Sequence, residues 1–382
     1  MRVLHLTRDF PPCANGGISQ AVGDLVRHLK NRYTESFVIS FDAWKPHKRV
    51  SRGNRCLVDT SEPSKLEPWL FRLHDKSQLE AARKFAIESG AQVVHVHDAA
   101  LWDEAEAMAS ELKAETIYTV HVYHREMNLI RGLKRTAGSE AEKKAFARAS
   151  VVSVPCKSMK NLLARDFPWL RAKLREASWG TDVIGKHVEL DTKEVIYAGR
   201  FSDIKGTDLL GKIVPQVLGR VRDARFILAG GVPFNPRAEK KWIESIISTL
   251  DESCSKRFQA TGWLDAADLH TRLGNTWVMI SPGKFETFGL SVLSAMSQSV
   301  AVVAARSPGV ESLLRHGKNG YLVEPNDTDA MVEYLVKVLS CKNLRDDLGK
   351  NGRESVKKNW LWQSRIRDWL EIYDELARDR AY

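Results

Sequence analysis

The chain has 382 residues, 43% of them hydrophobic and 28% charged, and Lys plus Arg (58) exceed Asp plus Glu (48) for a formal net charge of +10. That length is a prior for two or three domains, and the near-average composition excludes a disordered tail, a collagen and a coiled-coil rod. No run approaches the roughly 20 apolar residues of a membrane span, and the opening Met-Arg-Val-Leu-His-Leu-Thr-Arg-Asp-Phe-Pro-Pro breaks too early for a secretory signal, so a cytoplasmic location is expected.

In chain order, Val3 to Leu6 reads as a strand and Asp9 to Gly17 as a turn-rich loop. Ile18, Ala21, Val22, Leu25, Val26 and Leu29 then fall at helical spacing. Strand, glycine-bearing loop and helix make half of a βαβ unit, with the loop where open α/β sheets hold ligands. The grammar recurs. Phe37 to Phe41, Val93 to His97, Ile117 to His121 and Val151 to Val154 read as buried strands, with amphipathic stretches such as Leu79 to Ile87 and Ala105 to Leu112 between them. Periodicity is lost from Gly180 to Asp191 and then restarts. Glu194 to Arg200, Arg225 to Gly231, Val278 to Pro282 and Val300 to Ala304 are strands, Leu209 to Leu218 a helix, and Trp360 to Ala381 a final amphipathic helix. The expected class is α/β, two Rossmann-like domains in tandem.

Cys13, Cys56, Cys156, Cys254 and Cys341 lack the spacing of a zinc knuckle or redox pair, so reduced structural thiols are expected. The basic excess is local. Arg125 to Arg175 holds thirteen basic and four acidic residues, either a solvated helix surface or an attraction for an acidic or lipid-linked acceptor or the inner face of a membrane. No aromatic-basic RNA motif or DNA-reading helix accompanies the charge, so no nucleic acid is expected as a partner.

The segments Gly283-Lys284-Phe285-Glu286-Thr287-Phe288-Gly289-Leu290-Ser291-Val292-Leu293-Ser294, Pro308-Gly309-Val310-Glu311 and Gly317 to Asp327 resemble the carboxyl-terminal signature of a large enzyme family. It is that of the retaining GT-B glycosyltransferases, group 1 or family 4-like, which includes sucrose synthase, bacterial glycogen synthase and many mannosyltransferases. Ala198-Gly199-Arg200-Phe201 with Lys205-Gly206 resembles the family's donor-phosphate element, Trp179-Gly180-Thr181-Asp182 its interdomain linker, and the Gly16-Gly17 loop and the strand ends at His97 and His121 its first domain. The resemblance implies two domains facing across a cleft: 1–182 for the acceptor, 183–360 for the nucleotide sugar, and a helix over 361–382 returning to the first. It also implies a UDP-, GDP- or ADP-linked sugar as co-substrate, with no cofactor and no metal.

A departing diphosphate needs fixed positive charge, which Arg200 and Lys205 can supply, and the amides of Phe288, Gly289 and Leu290 at a helix start add to it; solvated loop cations are the alternative. Glu286 can bond hexose hydroxyls or cap the helix. Ser294 stands where the resemblance implies a second Glu, usually on the nucleotide ribose. That replacement weakens or rearranges ribose binding by about 1 to 3 kcal/mol and keeps open a catalytically altered protein that binds ligands or acts as a scaffold. Gly16 and Gly17 let their amides approach a phosphate or sugar. The resemblance implies that His121 contacts the donor sugar, against a satisfied core histidine, while His97 and Asp98 either orient an acceptor hydroxyl or pair structurally.

Three signals are set aside. Asp327-Thr328-Asp329 has a metal-site spacing but precedes an apolar helix pattern and reads as a cap; Gly230-Gly231 is an incomplete dinucleotide fingerprint; most of the eleven tryptophans sit in apolar surroundings.

Overall fold

The computed structural model describes every residue except 12–15, 31, 33, 43–53, 60–75, 183–191, 234 and 379–382. Cys13 and most of the aperiodic stretch 180–191 therefore lie outside the described residues. The chain divides into two compact units, one of Met1–Trp179 with Arg365–Tyr382, the other of Gly180–Ser364.

The first unit is built on seven strands: β1 (Arg2–Thr7), β2 (Glu35–Asp42), β3 (Arg55–Asp59), β4 (Val93–Val96), β5 (Glu115–Thr119), β6 (Val151–Val154) and β7 (Leu174–Glu176). The sheet order is β3-β2-β1-β4-β5-β6-β7. Every pairing is parallel. β4 and β6 are buried along their whole length, which is why they read as continuous apolar runs.

The second unit repeats the plan with six: β8 (Lys193–Arg200), β9 (Ala224–Gly231), β10 (Phe258–Gly262), β11 (Val278–Ser281), β12 (Ala301–Ala305) and β13 (Tyr321–Val323). Their order is β10-β9-β8-β11-β12-β13, again parallel throughout. Val195, Ile280 and Val303 from its central strands pack with Val214, Val217 and Leu335 from the covering helices. In both sheets the order reverses beside the first strand, between β1 and β4 and between β8 and β11. Chain leaving the carboxyl ends of such a pair diverges and opens a crevice.

Four strands escape the sequence pattern: β3, β7, β10 and β13. All lie at or next to a sheet end, and they run for only three to five residues. β10 has no fully buried residue, so it shows no apolar run to read. The last helix spans Trp362–Arg378, beginning two residues after the Trp360 expected, and the expected end at Ala381 lies outside the described residues. Its start is delayed because Thr181 N–H donates to the Trp360 carbonyl (2.9 Å) and Trp362 N–H to the Thr181 carbonyl (3.3 Å), holding Leu361 in a bridge with Thr181. Among the described cysteines Cys56, Cys156 and Cys254 are buried and Cys341 is exposed, all unbridged. Trp102, Trp179, Trp277, Trp362 and Trp369 are buried, while Trp169 and Trp263 are not. Asp327 caps the helix Thr328–Ser340, its Oδ1 accepting the Ala330 amide at 2.9 Å. Among the described residues no helix is long and apolar enough to cross a membrane.

Candidate active site

The second unit places fixed charge at its switch point. Arg200 is the last residue of β8, next to the partly buried Gly199, and it is exposed. The turn that follows is closed by its own polar groups: Tyr197 Oη donates to the Arg200 carbonyl (2.9 Å), Ser202 N–H to Thr207 Oγ1 (3.0 Å) and Lys205 N–H to Ser202 Oγ (3.3 Å). Gly206 ends it at φ +70°, and a Cβ there would lie 2.3 Å from the Pro282 carbonyl oxygen. Only glycine lets this turn press against the chain leaving β11. Lys284 N–H donates to the Ile204 carbonyl across the same seam (2.8 Å). The result is an ion pair between Lys205 Nζ and Glu286 Oε1 at 2.6 Å, with the two side chains 32% and 14% exposed. Lys284 is occupied by Asp208 (2.8 Å) and stays out of that pair.

Glu286 does not cap the following helix, which overturns that alternative. The helix Leu290–Ser297 starts from Gly289 at φ +95° with no side-chain cap and no acidic residue in its first turn. Its first amides have no partner within the helix and carry the positive end of its dipole. Phe288 is buried and meets the Trp360 ring edge-on at 5.5 Å. Gly309 fixes the segment from behind: its N–H donates to the Glu286 carbonyl (3.0 Å), and a Cβ would lie 2.2 Å from Phe288 N. Leu290 and Ser294 are partly exposed on the same helix. Gly199, Arg200, Lys205, Glu286, Phe288, Gly289, Leu290 and Ser294 thus all belong to the two segments that leave β8 and β11.

The first unit is armed differently. Gly16 is extended and precedes the helix Gly17–Leu29, which has neither a side-chain cap nor an acidic first turn. Asp98 is committed to structure: Oδ1 accepts the Ala100 amide at 2.9 Å and Oδ2 pairs with Arg8 at 3.2 Å. Behind them one sheet face carries a polar stripe. His5 on β1 is in register with His95 on β4. His95 lies between Tyr373 Oη (2.7 Å from Nδ1) and Thr119 Oγ1 (2.6 Å from Nε2). His97 Nε2 is 3.2 Å from His5 Nδ1, and His97 Nδ1 is 3.1 Å from His121 Nε2. His121 stacks on Trp179 (centroids 5.0 Å, planes 20° apart), and Trp179 packs on Trp369. Burial pushes His5 and His121 down to about 3, against a weak opposing pull from Asp98 at His121, and holds His95 and His97 well below the ordinary value. All four rings are neutral near pH 7. His5, His95 and His97 have nitrogens within 4.8 Å of one another, a spacing that suits a metal. The donor set does not favour one, because both nitrogens of His95 and His97 are already hydrogen-bonded and no carboxylate joins them.

Sequence reasoning missed His5, His95 and Tyr373. The signal for the first two was present: polar residues alternating inside buried strands. Tyr373 reaches them only through the last helix, 278 residues from His95. Seven of the thirteen cations of the basic segment are seen in ion pairs: Arg125 and Arg165 pair with Asp166, Arg135 and Lys143 with Glu140, Lys144 with Asp103, Arg148 with Glu106, and Arg175 with Glu375.

Residues 183–355 match the family described as glycosyl transferases group 1, and residues 15–183 match glycosyltransferase family 4. The chain belongs to this family of group 1, family 4-like glycosyltransferases. A sulfoquinovosyl transferase of Arabidopsis thaliana is 31% identical over 167 residues, which are 43% of this chain and 30% of that protein. The matched segments span about half the length of the curated relatives, or less. Sucrose-phosphate synthase from Thermosynechococcus elongatus has the same fold, with a TM-score of 0.78 at 19% identity over 99% of this chain and 100% of that one. Anabaena HepE, solved in complex with UDP-glucose, superposes with a TM-score of 0.75 at 15% identity over 98% and 100% of the two chains. The fold is therefore the α/β GT-B type, with two Rossmann-like units.

Proposed function

We propose that this protein is a retaining, metal-independent glycosyltransferase that moves a hexose-type unit from a UDP-, GDP- or ADP-linked sugar to an acceptor hydroxyl. The observation that carries this reading is the Lys205–Glu286 pair, seated at 2.6 Å between the β8 and β11 segments beside Arg200 and an uncapped helix start. Cations and helix amides suit a diphosphate, and a carboxylate suits sugar hydroxyls. The solved complex of HepE with UDP-glucose shares the fold and supports the same donor class. In the reaction the bond from C1 to the phosphate oxygen breaks, the acceptor oxygen joins C1 on the same face, and its proton passes to the departing phosphate oxygen. Arg200 and Lys205 stabilise the charge that grows there; Glu286 holds the hexose. A thermal-shift panel of nucleoside diphosphates and nucleotide sugars tests the reading, because a ligand of the folded state raises the melting temperature by mass action. A rise with one nucleotide series supports it; no shift with any, together with no transfer or slow hydrolysis, sinks it and leaves the scaffold alternative.

An acidic or lipid-linked acceptor presented at an anionic bilayer is favoured by a specific observation. Of the six large hydrophobic residues exposed among the described ones, Leu129, Leu133 and Trp169 fall in the basic segment. Arg125 and Leu129 share a face of the helix His124–Ile130, and Arg125 pairs with Asp166, three residues before Trp169. Pelleting with anionic but not neutral vesicles, reversed by salt, is the expected result. Equal behaviour with both would leave the segment a solvated surface.

A further inference from the structure

The loop that carries Lys205 leaves the sheet at Arg200 and enters a helical turn at Thr207, and one buried phenol touches both ends. Tyr197 Oη lies 2.9 Å from the Arg200 carbonyl oxygen and 3.1 Å from Thr207 Oγ1, with the Lys205 carbonyl oxygen at 3.5 Å. We propose that Tyr197 is a positioning residue for this loop: its phenol ties the loop's entry to its exit and thereby holds Lys205 on Glu286. The consequence for donor binding rests on the glycosyltransferase reading; the tie itself does not.

The protons of this cluster have one arrangement. Thr207 Oγ1 accepts the Ser202 N–H (3.0 Å), and Thr207 is 1% exposed, so its own hydroxyl proton needs a buried acceptor. Among the described residues Tyr197 Oη is that acceptor. The phenol proton then goes to the Arg200 carbonyl, the nearer of its two carbonyl neighbours. Burial pushes the phenol above its ordinary value, so it keeps that proton through neutral pH. The support behind it is firm. Tyr197 is in register with Leu228 on β9 and Ile280 on β11, is buried, and packs on Phe201. A second bond, from Thr207 N–H to the Ser202 carbonyl (3.1 Å), closes the far end of the loop. Phenylalanine would fill the same space yet leave the Thr207 hydroxyl without an acceptor.

Amide hydrogen exchange tests the tie without a ligand. In Tyr197→Phe the Ser202 and Thr207 amides should exchange about tenfold faster, while those of Leu228 and Ile280 on the flanking strands keep their rates. Unchanged exchange at Ser202 and Thr207, or an equal rise on the flanking strands, overturns the positioning role. Thr207→Val removes the hydroxyl and should reproduce the change, whereas Thr207→Ser should keep wild-type rates; these two decide should Tyr197→Phe fail to fold. Donor binding is read by calorimetric titration with UDP, GDP and ADP in turn. Tyr197→Phe should weaken the nucleotide that binds wild type about fivefold, and by about twofold or less when Lys205 is already alanine, because the phenol acts through that lysine. Equal losses in both backgrounds end the action through Lys205. No binding of any of the three by wild type, with exchange altered as expected, would remove the glycosyltransferase reading and leave the tie; binding with unaltered exchange would do the reverse.

Discussion

The two sheets share a strand order but carry opposite chemistry at the point where that order reverses. Beside β8 and β11 the second unit holds Arg200, Lys205 and Glu286, charge-bearing side chains that are exposed or only partly buried. Beside β1 and β4 the first unit holds neutral imidazoles and hydroxyls, with His5, His95 and His97 almost wholly removed from water. Half-buried charge attracts a polyanion without the full desolvation cost of a buried ion. Buried neutral dipoles attract little but hold a precise direction. One fold can therefore set half-buried charge at one switch point and neutral, directed dipoles at the other.

The largest expected effect falls on the charged side. Arg200→Ala and Lys205→Ala should each lower turnover by a factor on the order of 10² to 10³, with a smaller loss of donor affinity, because the lost charge acts most as the diphosphate departs. Steady-state kinetics of both variants with unchanged turnover would break the contrast at its charged end.

Acid stability tests the neutral side. The folded pKa of His5 is lowered from 6.5 to about 3 by burial, so the unfolded chain binds more protons between those values. This contribution is complete above about pH 6.5 and is lost as pH falls toward 3, by up to about 1.4 kcal/mol per pH unit for each such histidine. Calorimetry should show a melting temperature that falls on acidification below pH 6.5, less steeply in His5→Phe. An acid limb no shallower in that variant would mean that His5 is not held neutral.

Gly206→Ala sharpens the geometric half of the contrast. The left-handed φ of +70° and the Pro282 oxygen at 2.3 Å from the new Cβ should cost about 1 to 3 kcal/mol and weaken donor binding by separating Lys205 from Glu286. Thermal melts with and without nucleotide measure both effects; a variant equal to wild type in each would show that the seam does not hold the pair.

The smallest effect concerns Ser294. Ser294→Glu should tighten nucleotide binding about fivefold, roughly 1 kcal/mol, if the pocket around this partly exposed position accepts a ribose-bonding carboxylate. Weaker binding by calorimetric titration would show neighbours rebuilt around serine.

The charged half was legible almost residue by residue. Gly283 to Ser294 and Gly199 to Lys205 are each local in sequence, and each falls between a strand and a helix whose periods are plain. Less was legible in the first unit. His97 and His121 stand out as polar residues at strand ends, yet nothing along the chain says that they touch. His5 looks like an exposed position of an amphipathic strand until both faces of β1 are found buried.

Sequence by itself determined what periodicity and short motifs encode: two runs of strands and helices, the glycines at Gly206, Gly289 and Gly309, and the residue types of the cluster around Arg200, Lys205 and Glu286. Tertiary structure alone decided which of these meet. Glu286 pairs with Lys205 across 81 residues because β8 and β11 are neighbours in the sheet while four α-helices and two strands separate them along the chain. Tyr373 reaches His95 across 278 residues because the last helix lies over the polar stripe of the first sheet. The physical reason is that hydrogen bonds and ion pairs are short-ranged, so they depend on how distant segments pack. Hydrophobic periodicity is written locally along the chain; strand order and register, which decide these partners, emerge only when the sheets assemble.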